Sequence, residues 1–367
     1  MTGNRTLKQP YLGIVSTGIC IAVSLAICAV FDAATFGTWV TLILVAMVPA
    51  QIVLGLVWEA KFPKLVTRLP QPMKGLTLLA LMAMAGLVVA PATIFLVGGG
   101  IMPPTPYTTM FIIFSVVMTF WLVTVMQCWP LTAISKSTGF VGIGVWFLTY
   151  VLTYVLFSVF FDYGFFKGTP LYIEALDPKG LFNAWYSLSF AITALVMMLA
   201  LVLLDFWPIG VITKRVDMLG RQPFFGILST LFVLILSYCL WYFFVIGRGM
   251  DPVVYMVRVP VSIVFGQFIM LTMLKTAPFQ TLVQPLKGSV LLILSAILSV
   301  VMYEFYWWAS GLILGSLPAG APGYELDLWL ASAMLAVTFP VFVTYAEFLG
   351  YWPLINLSGE EAIDELA

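Results

Sequence analysis

Ten apolar runs follow one another along this chain, each about twenty residues long, the length that crosses a bilayer. They fall at roughly 11–31, 38–58, 76–98, 107–129, 139–161, 183–206, 224–246, 254–275, 288–312 and 327–350. A water-soluble surface cannot be built around them. Only 9% of the 367 residues are charged, against about 25% in soluble domains. The expectation is an all-α integral membrane protein with ten transmembrane helices, bathed by the lipid bilayer.

The runs come in pairs with recurring punctuation. Gln9-Pro10-Tyr11-Leu12-Gly13, Gln71-Pro72-Met73-Lys74-Gly75, Gln222-Pro223-Phe224-Phe225-Gly226 and Gln284-Pro285-Leu286-Lys287-Gly288 each open a pair. Phe62-Pro63, Trp129-Pro130, Trp207-Pro208, Ala277-Pro278 and Trp352-Pro353 close them. A degenerate opening at Lys136-Ser137-Thr138-Gly139 begins the third pair. The reading is five parallel-repeat helical hairpins in one membrane domain, at 9–63, 71–130, 136–208, 222–278 and 284–353, with an acidic tail at 354–367.

Proline costs nothing at a helix start, where the first N–H groups have no partner. Tryptophan anchors at the membrane interface. Neither rule explains why Gln and Gly recur. Descent of the hairpins from one ancestor does. Five parallel copies suit a ring around an axis along the membrane normal. Inverted repeats, the usual sign of alternating access, are not evident.

Basic residues orient the chain. Arg5, Lys8, Lys61, Lys64, Arg68, Lys74, Lys136, Lys214, Arg215, Arg221, Lys275 and Lys287 lie at the N-terminus or at hairpin junctions: 12 of the 16 Lys and Arg. The positive-inside rule then puts the junctions and both termini in the cytoplasm. The expected setting is a cell membrane of the prokaryotic inner-membrane kind, crossed many times. The first run, from Tyr11, is too long for the apolar core of a cleavable leader. It is expected to remain as a span. Longer loops on the opposite face, at 162–182 and 313–326, are the segments free to vary.

The chain has no histidine. His-ligated haem, most zinc and copper sites and imidazole relays therefore find no ligands. Cys20, Cys28, Cys128 and Cys239 lie in apolar runs or at their ends and suit packing rather than a disulfide framework. The 18 methionines come with no imidazole, which leaves no copper route. Phosphate-loop, serine-hydrolase and zinc-protease motifs are lacking. No cofactor, no nucleic-acid partner and no catalytic residue set is expected.

Charges inside spans are functional candidates. Arg258 and Glu304 fall at similar depth in the outer third of adjacent runs and are expected to pair. Glu59, Gln127, Asp205, Lys275 and Glu347 lie within three to six residues of the closing prolines. Asp205 and Lys275 occupy equivalent positions and are placed to pair. Glu347 is the expected buried inner carboxylate. Pro49, Pro260 and Pro340 are expected to kink second helices, and Pro91 to break the third span. Kinks expose carbonyls near mid-membrane.

Two functions fit. One is a transporter or channel for a small solute or ion, with Arg258, Glu304, Glu347, Asp205 and Lys275 as candidate binding groups. The other is a non-catalytic membrane subunit of a larger complex, packing on partner proteins, lipids, quinones or pigments.

Overall fold

Each apolar run is helical because inside a bilayer every backbone N–H and C=O must bond within its own segment. The structure is a computed structural model that describes residues 7–277 and 279–355. The acidic stretch Glu360–Glu365 lies outside the described residues. Among the described residues, ten helices are long and apolar enough to cross a membrane: α1 (Tyr11–Cys28), α2 (Ala33–Val57), α3 (Met73–Leu96), α4 (Pro106–Val125), α5 (Thr138–Phe160), α6 (Ala184–Leu203), α7 (Phe224–Gly247), α8 (Pro252–Met273), α9 (Leu286–Leu314) and α10 (Glu325–Phe348). One parallel strand pair, Phe161–Asp162 with Phe182–Asn183, brackets the loop between α5 and α6.

The even-numbered helices form a closed inner ring. α2 touches α4, α4 touches α6, α6 touches α8, α8 touches α10, and α10 touches α2. The odd-numbered helices stand outside, each in the groove between two ring members. α3 packs on α2 and α10, α5 on α4 and α2, α7 on α6 and α4, α9 on α8 and α6, and α1 on α10 and α8. Burial follows position. Between 22% and 39% of the apolar stretch is buried in the outer helices, against 61–78% in the inner ones.

Four of the five inner helices are irregular, all but α6, whereas among the outer helices α7 alone carries a wide turn, at Tyr242–Gly247. Wide, π-type turns interrupt α2 at Phe36–Val40 and Val53–Val57, α4 at Trp121–Val125, α8 at Val257–Val261 and Ile269–Met273, and α10 at Ser332–Thr338 and Thr344–Phe348. Such turns recur at functional places. Pro260 lies within one of them, while Pro49 precedes one and Pro340 follows one. Pro91 behaves otherwise than expected. It lies inside an unbroken α-helix, Met73–Leu96.

The recurring Gln and Gly have a physical task. At four outer-helix starts the Gln side chain accepts from the N–H of the Gly four residues on: Gln9 from Gly13 at 3.2 Å, Gln71 from Gly75 at 3.3 Å, Gln222 from Gly226 at 3.1 Å and Gln284 from Gly288 at 3.0 Å. The same amide donates to the last carbonyl of an inner helix. Gln9 reaches Met273, Gln71 reaches Phe348, Gln222 reaches Val125 and Gln284 reaches Leu203, at 2.8–3.2 Å. One side chain thus satisfies an orphan N–H and an orphan C=O that two helix ends would otherwise strand.

Glycine is needed because the inner helix end comes so close. A Cβ on Gly13 would sit 2.5 Å from the Met273 carbonyl oxygen, and one on Gly288 2.8 Å from that of Leu203. The degenerate third pair has no Gln. There Trp58 Nε1 donates to the Thr138 carbonyl at 2.8 Å. Each inner helix ends on two consecutive left-handed residues, among them Glu59-Ala60, Gln127-Cys128, Asp205-Phe206 and Lys275-Thr276. That turn brings the chain out of the ring toward the closing Trp-Pro.

Candidate functional site

The inner ring encloses a cavity of about 630 Å³. All five inner helices line it, at turns one helical repeat apart: Thr41 and Val45 from α2, Thr109 and Ile113 from α4, Leu188 and Ile192 from α6, Val261 and Val264 from α8, Ser332 and Ala336 from α10. The mouth is made by segments that lead into inner helices, Ile101–Pro106, Phe166–Ile173 and Pro322–Tyr324. The cavity therefore opens at the end where the inner helices begin.

Its floor is aromatic. Phe120, Phe268 and Phe339 lie roughly 21–24 Å along their helices from the mouth end, at 1.5 Å per residue. All three are at least 95% buried. Phe268 and Phe339 stack at 4.0 Å, and Phe120 lies 5.7 Å and 6.2 Å from them, centroid to centroid. Together they close the axis of the ring. Beneath them Gln51 ties α2 to α10, donating to the Pro340 carbonyl at 2.8 Å and to Thr344 Oγ1 at 3.2 Å. Gln267 ties α8 to α6, donating to the Val196 carbonyl at 3.2 Å.

The wall carries no charged side chain. Its polar groups sit high, near the mouth. Thr105 Oγ1 is buried and has no partner among the described residues. Tyr324, at a left-handed φ of 53°, is braced by a hydrogen bond of 2.8 Å from its hydroxyl to Asp251. Burial, reinforced by that carboxylate, raises the Tyr324 pKa to about 12. The side chain stays a neutral donor under all ordinary conditions. In the loop between α5 and α6, the Lys179 ammonium, 3.0 Å from Glu174, holds that carboxyl below its usual range.

The charged candidates lie elsewhere. Arg258 does not pair with Glu304. Its Nε donates to the Tyr303 hydroxyl at 3.1 Å, and both Arg258 and Glu304 are exposed. The reason is helical geometry: neighbours on a helix differ by about 100° in direction. Tyr303 faces α8, so Glu304 turns outward. Lys275 does not pair with Asp205 either. It meets Glu347 at 3.2 Å, while Asp205 is exposed. Glu347 is not fully buried, since its side chain keeps 33% exposure.

The floor phenylalanines escaped the sequence reading. A signal existed: Phe120 and Phe268 both stand ten residues before a closing proline. Among 29 phenylalanines that coincidence does not stand out. A second hollow, of about 500 Å³, lies on the outer face between α5 and α7, with Phe160, Phe190, Trp121 and Trp241 in its wall.

In comparisons with protein-family models, curated proteins and solved structures, the chain has no significant match. The fold and site therefore speak for themselves: this is a polytopic, all-α membrane protein with ten apolar helices and an axial cavity.

Proposed function

We propose that this protein is a channel for a small solute, with its route along the axis of the inner ring and its barrier at Phe120, Phe268 and Phe339. One observation carries the reading. The cavity is lined by all five inner helices and ends on three mutually packed aromatic rings. A structural bundle has no need to leave its axis open to that depth.

The wall indicates the kind of solute. With no carboxylate along it, a strongly hydrated cation would lose its water without compensation. The inner helices point their N-terminal ends, the positive ends of their dipoles, at the mouth. Two of those ends, at Thr105 and Tyr324, have no side-chain cap. A small anion or neutral solute fits this environment. Arg258, Asp205, Lys275, Glu304 and Glu347 do not line the cavity.

The five helix pairs are read as copies of one hairpin, because four share the Gln–Gly tie and the fifth replaces it with Trp58. The Lys and Arg bias supports cytoplasmic termini, with the mouth on the far side of a cell membrane. The alternative, a subunit that packs on apolar partners, has one observation in its favour, the aromatic hollow between α5 and α7.

The test is flux in reconstituted vesicles, with anions, cations and neutral solutes compared. Phe268→Ala should speed the flux of at least one solute class. Equal and negligible flux for both proteins across all three classes would end the channel reading.

A further inference from the structure

Helix α9 presents a continuous stripe to the membrane: Ile293, Ile297, Val300 and Val301, then Trp307 and Trp308, are all exposed. Glu304 sits in the middle of it, also exposed. It has no ion-pair or hydrogen-bond partner among the described residues. The helix runs ten residues farther, to Leu314, roughly 15 Å at 1.5 Å per residue. With 29 residues the helix exceeds the roughly 20 that the hydrocarbon core needs, so Glu304 lies just inside the outer boundary, below the Trp307 and Trp308 anchors, where an unpaired carboxylate is still costly.

A complementary charge lies close by. Arg258 is exposed beside Tyr303, the residue adjacent to Glu304, and spends only its Nε on that hydroxyl. The face thus carries one unpaired acid and one half-used guanidinium, flanked by large apolar side chains. A lipid phosphate would answer the arginine and repel the glutamate. A second copy of this chain answers both. In a two-fold interface a patch meets itself, so Arg258 of one copy faces Glu304 of the other, twice.

We propose that the α9 face is a homodimer interface, closed by two reciprocal Arg258–Glu304 ion pairs between copies. The reasoning is independent of the channel reading, because neither residue lines the axial cavity. Two opposite charges that do not pair within the chain are explained by pairing between chains.

The experiment is sedimentation of the purified full chain in mild detergent and in nanodiscs large enough for two copies. The wild type should be a dimer. Glu304→Arg and Arg258→Glu should each weaken dimerisation at least about tenfold, and the double reversal should restore it. Glu304→Gln and Arg258→Met, milder changes that keep the side-chain bulk, should weaken it as well, with helical content by circular dichroism unchanged. A monomeric wild type would overturn the proposal. So would a dimer indifferent to both neutral variants, a double reversal as weak as the singles, or a stoichiometric different protein bound to this face.

Discussion

Phe268 and Phe339, from adjacent ring helices, stack with centroids 4.0 Å apart and planes 21° apart. They come from α8 and α10, which also flank the outer helix α1. Both helices carry wide turns near these residues, Ile269–Met273 just after Phe268 and Ser332–Thr338 just before Phe339. The barrier is thus built where the backbone is least regular, so a small rotation of either helix would part the rings.

Removing one ring should open the route. Phe268→Ala is expected to raise solute flux in vesicles, and Phe268→Ala with Phe339→Ala to raise it further. The cost in stability is about 3 kcal/mol for a buried phenylalanine, read as a lower melting temperature in detergent. Faster flux with lower stability is the expected pair of changes. Unchanged flux in the double variant would remove the rings from the barrier.

The Gln ties make a different prediction. Gln284→Ala leaves the Leu203 carbonyl and the Gly288 N–H without partners, at about 1–3 kcal/mol. Gly288→Val should cost more, because its side chain would meet the Leu203 backbone. Asn at position 284 is too short to make both bonds and should resemble Ala. Thermal unfolding of the three variants beside wild type checks the ranking.

Lys275 and Glu347 should matter little to flux. Their side chains keep 28% and 33% exposure, and a pair of this kind is worth about 1 kcal/mol or less. Glu347→Gln is expected to leave flux close to that of wild type, because neither residue lines the cavity. Abolished flux in a folded Glu347→Gln protein would put that carboxylate on the conducting route.

Alkaline pH should loosen the mouth. The Tyr324 pKa rises from its ordinary 10.0 to about 12 in the fold. A raised value means the folded state holds the proton more tightly than the unfolded chain. This contribution is complete below pH 10 and is lost as pH climbs toward 12. Tyr324→Phe has no such proton to lose. Its melting temperature should fall less steeply than that of wild type between pH 10 and 12, measured side by side.

Much of the architecture could be read from residue order alone. Hydropathy marks ten helices, and Gln-Pro opens four of the five pairs while Trp-Pro closes three. The site was harder, for reasons that can be named. Arg258 and Glu304 match in depth, but depth carries no information about direction, and one residue's offset turns Glu304 outward. Lys275 matches Asp205 by position in the hairpin, yet its neighbour on the adjacent ring helix is Glu347. Phe268 reads as one more apolar residue until α8 and α10 are set side by side. The partner of Gln9 lies 264 positions away, beyond the reach of any local rule.

That distance bears on how the protein is made. The tie from pair three reaches back to pair one, that from pair four to pair two, and that from pair five to pair three. Each latches onto a helix end that the ribosome has already delivered. Gln9 and Gln71 wait for Met273 and Phe348. Followed from tie to tie, the pairs run one, four, two, five, three and back to one, a single circuit that omits none. Insertion can proceed pair by pair, but the circuit stays open until α10 is in place, so a nascent chain halted anywhere short of its final helix leaves the Gln71 tie unmade.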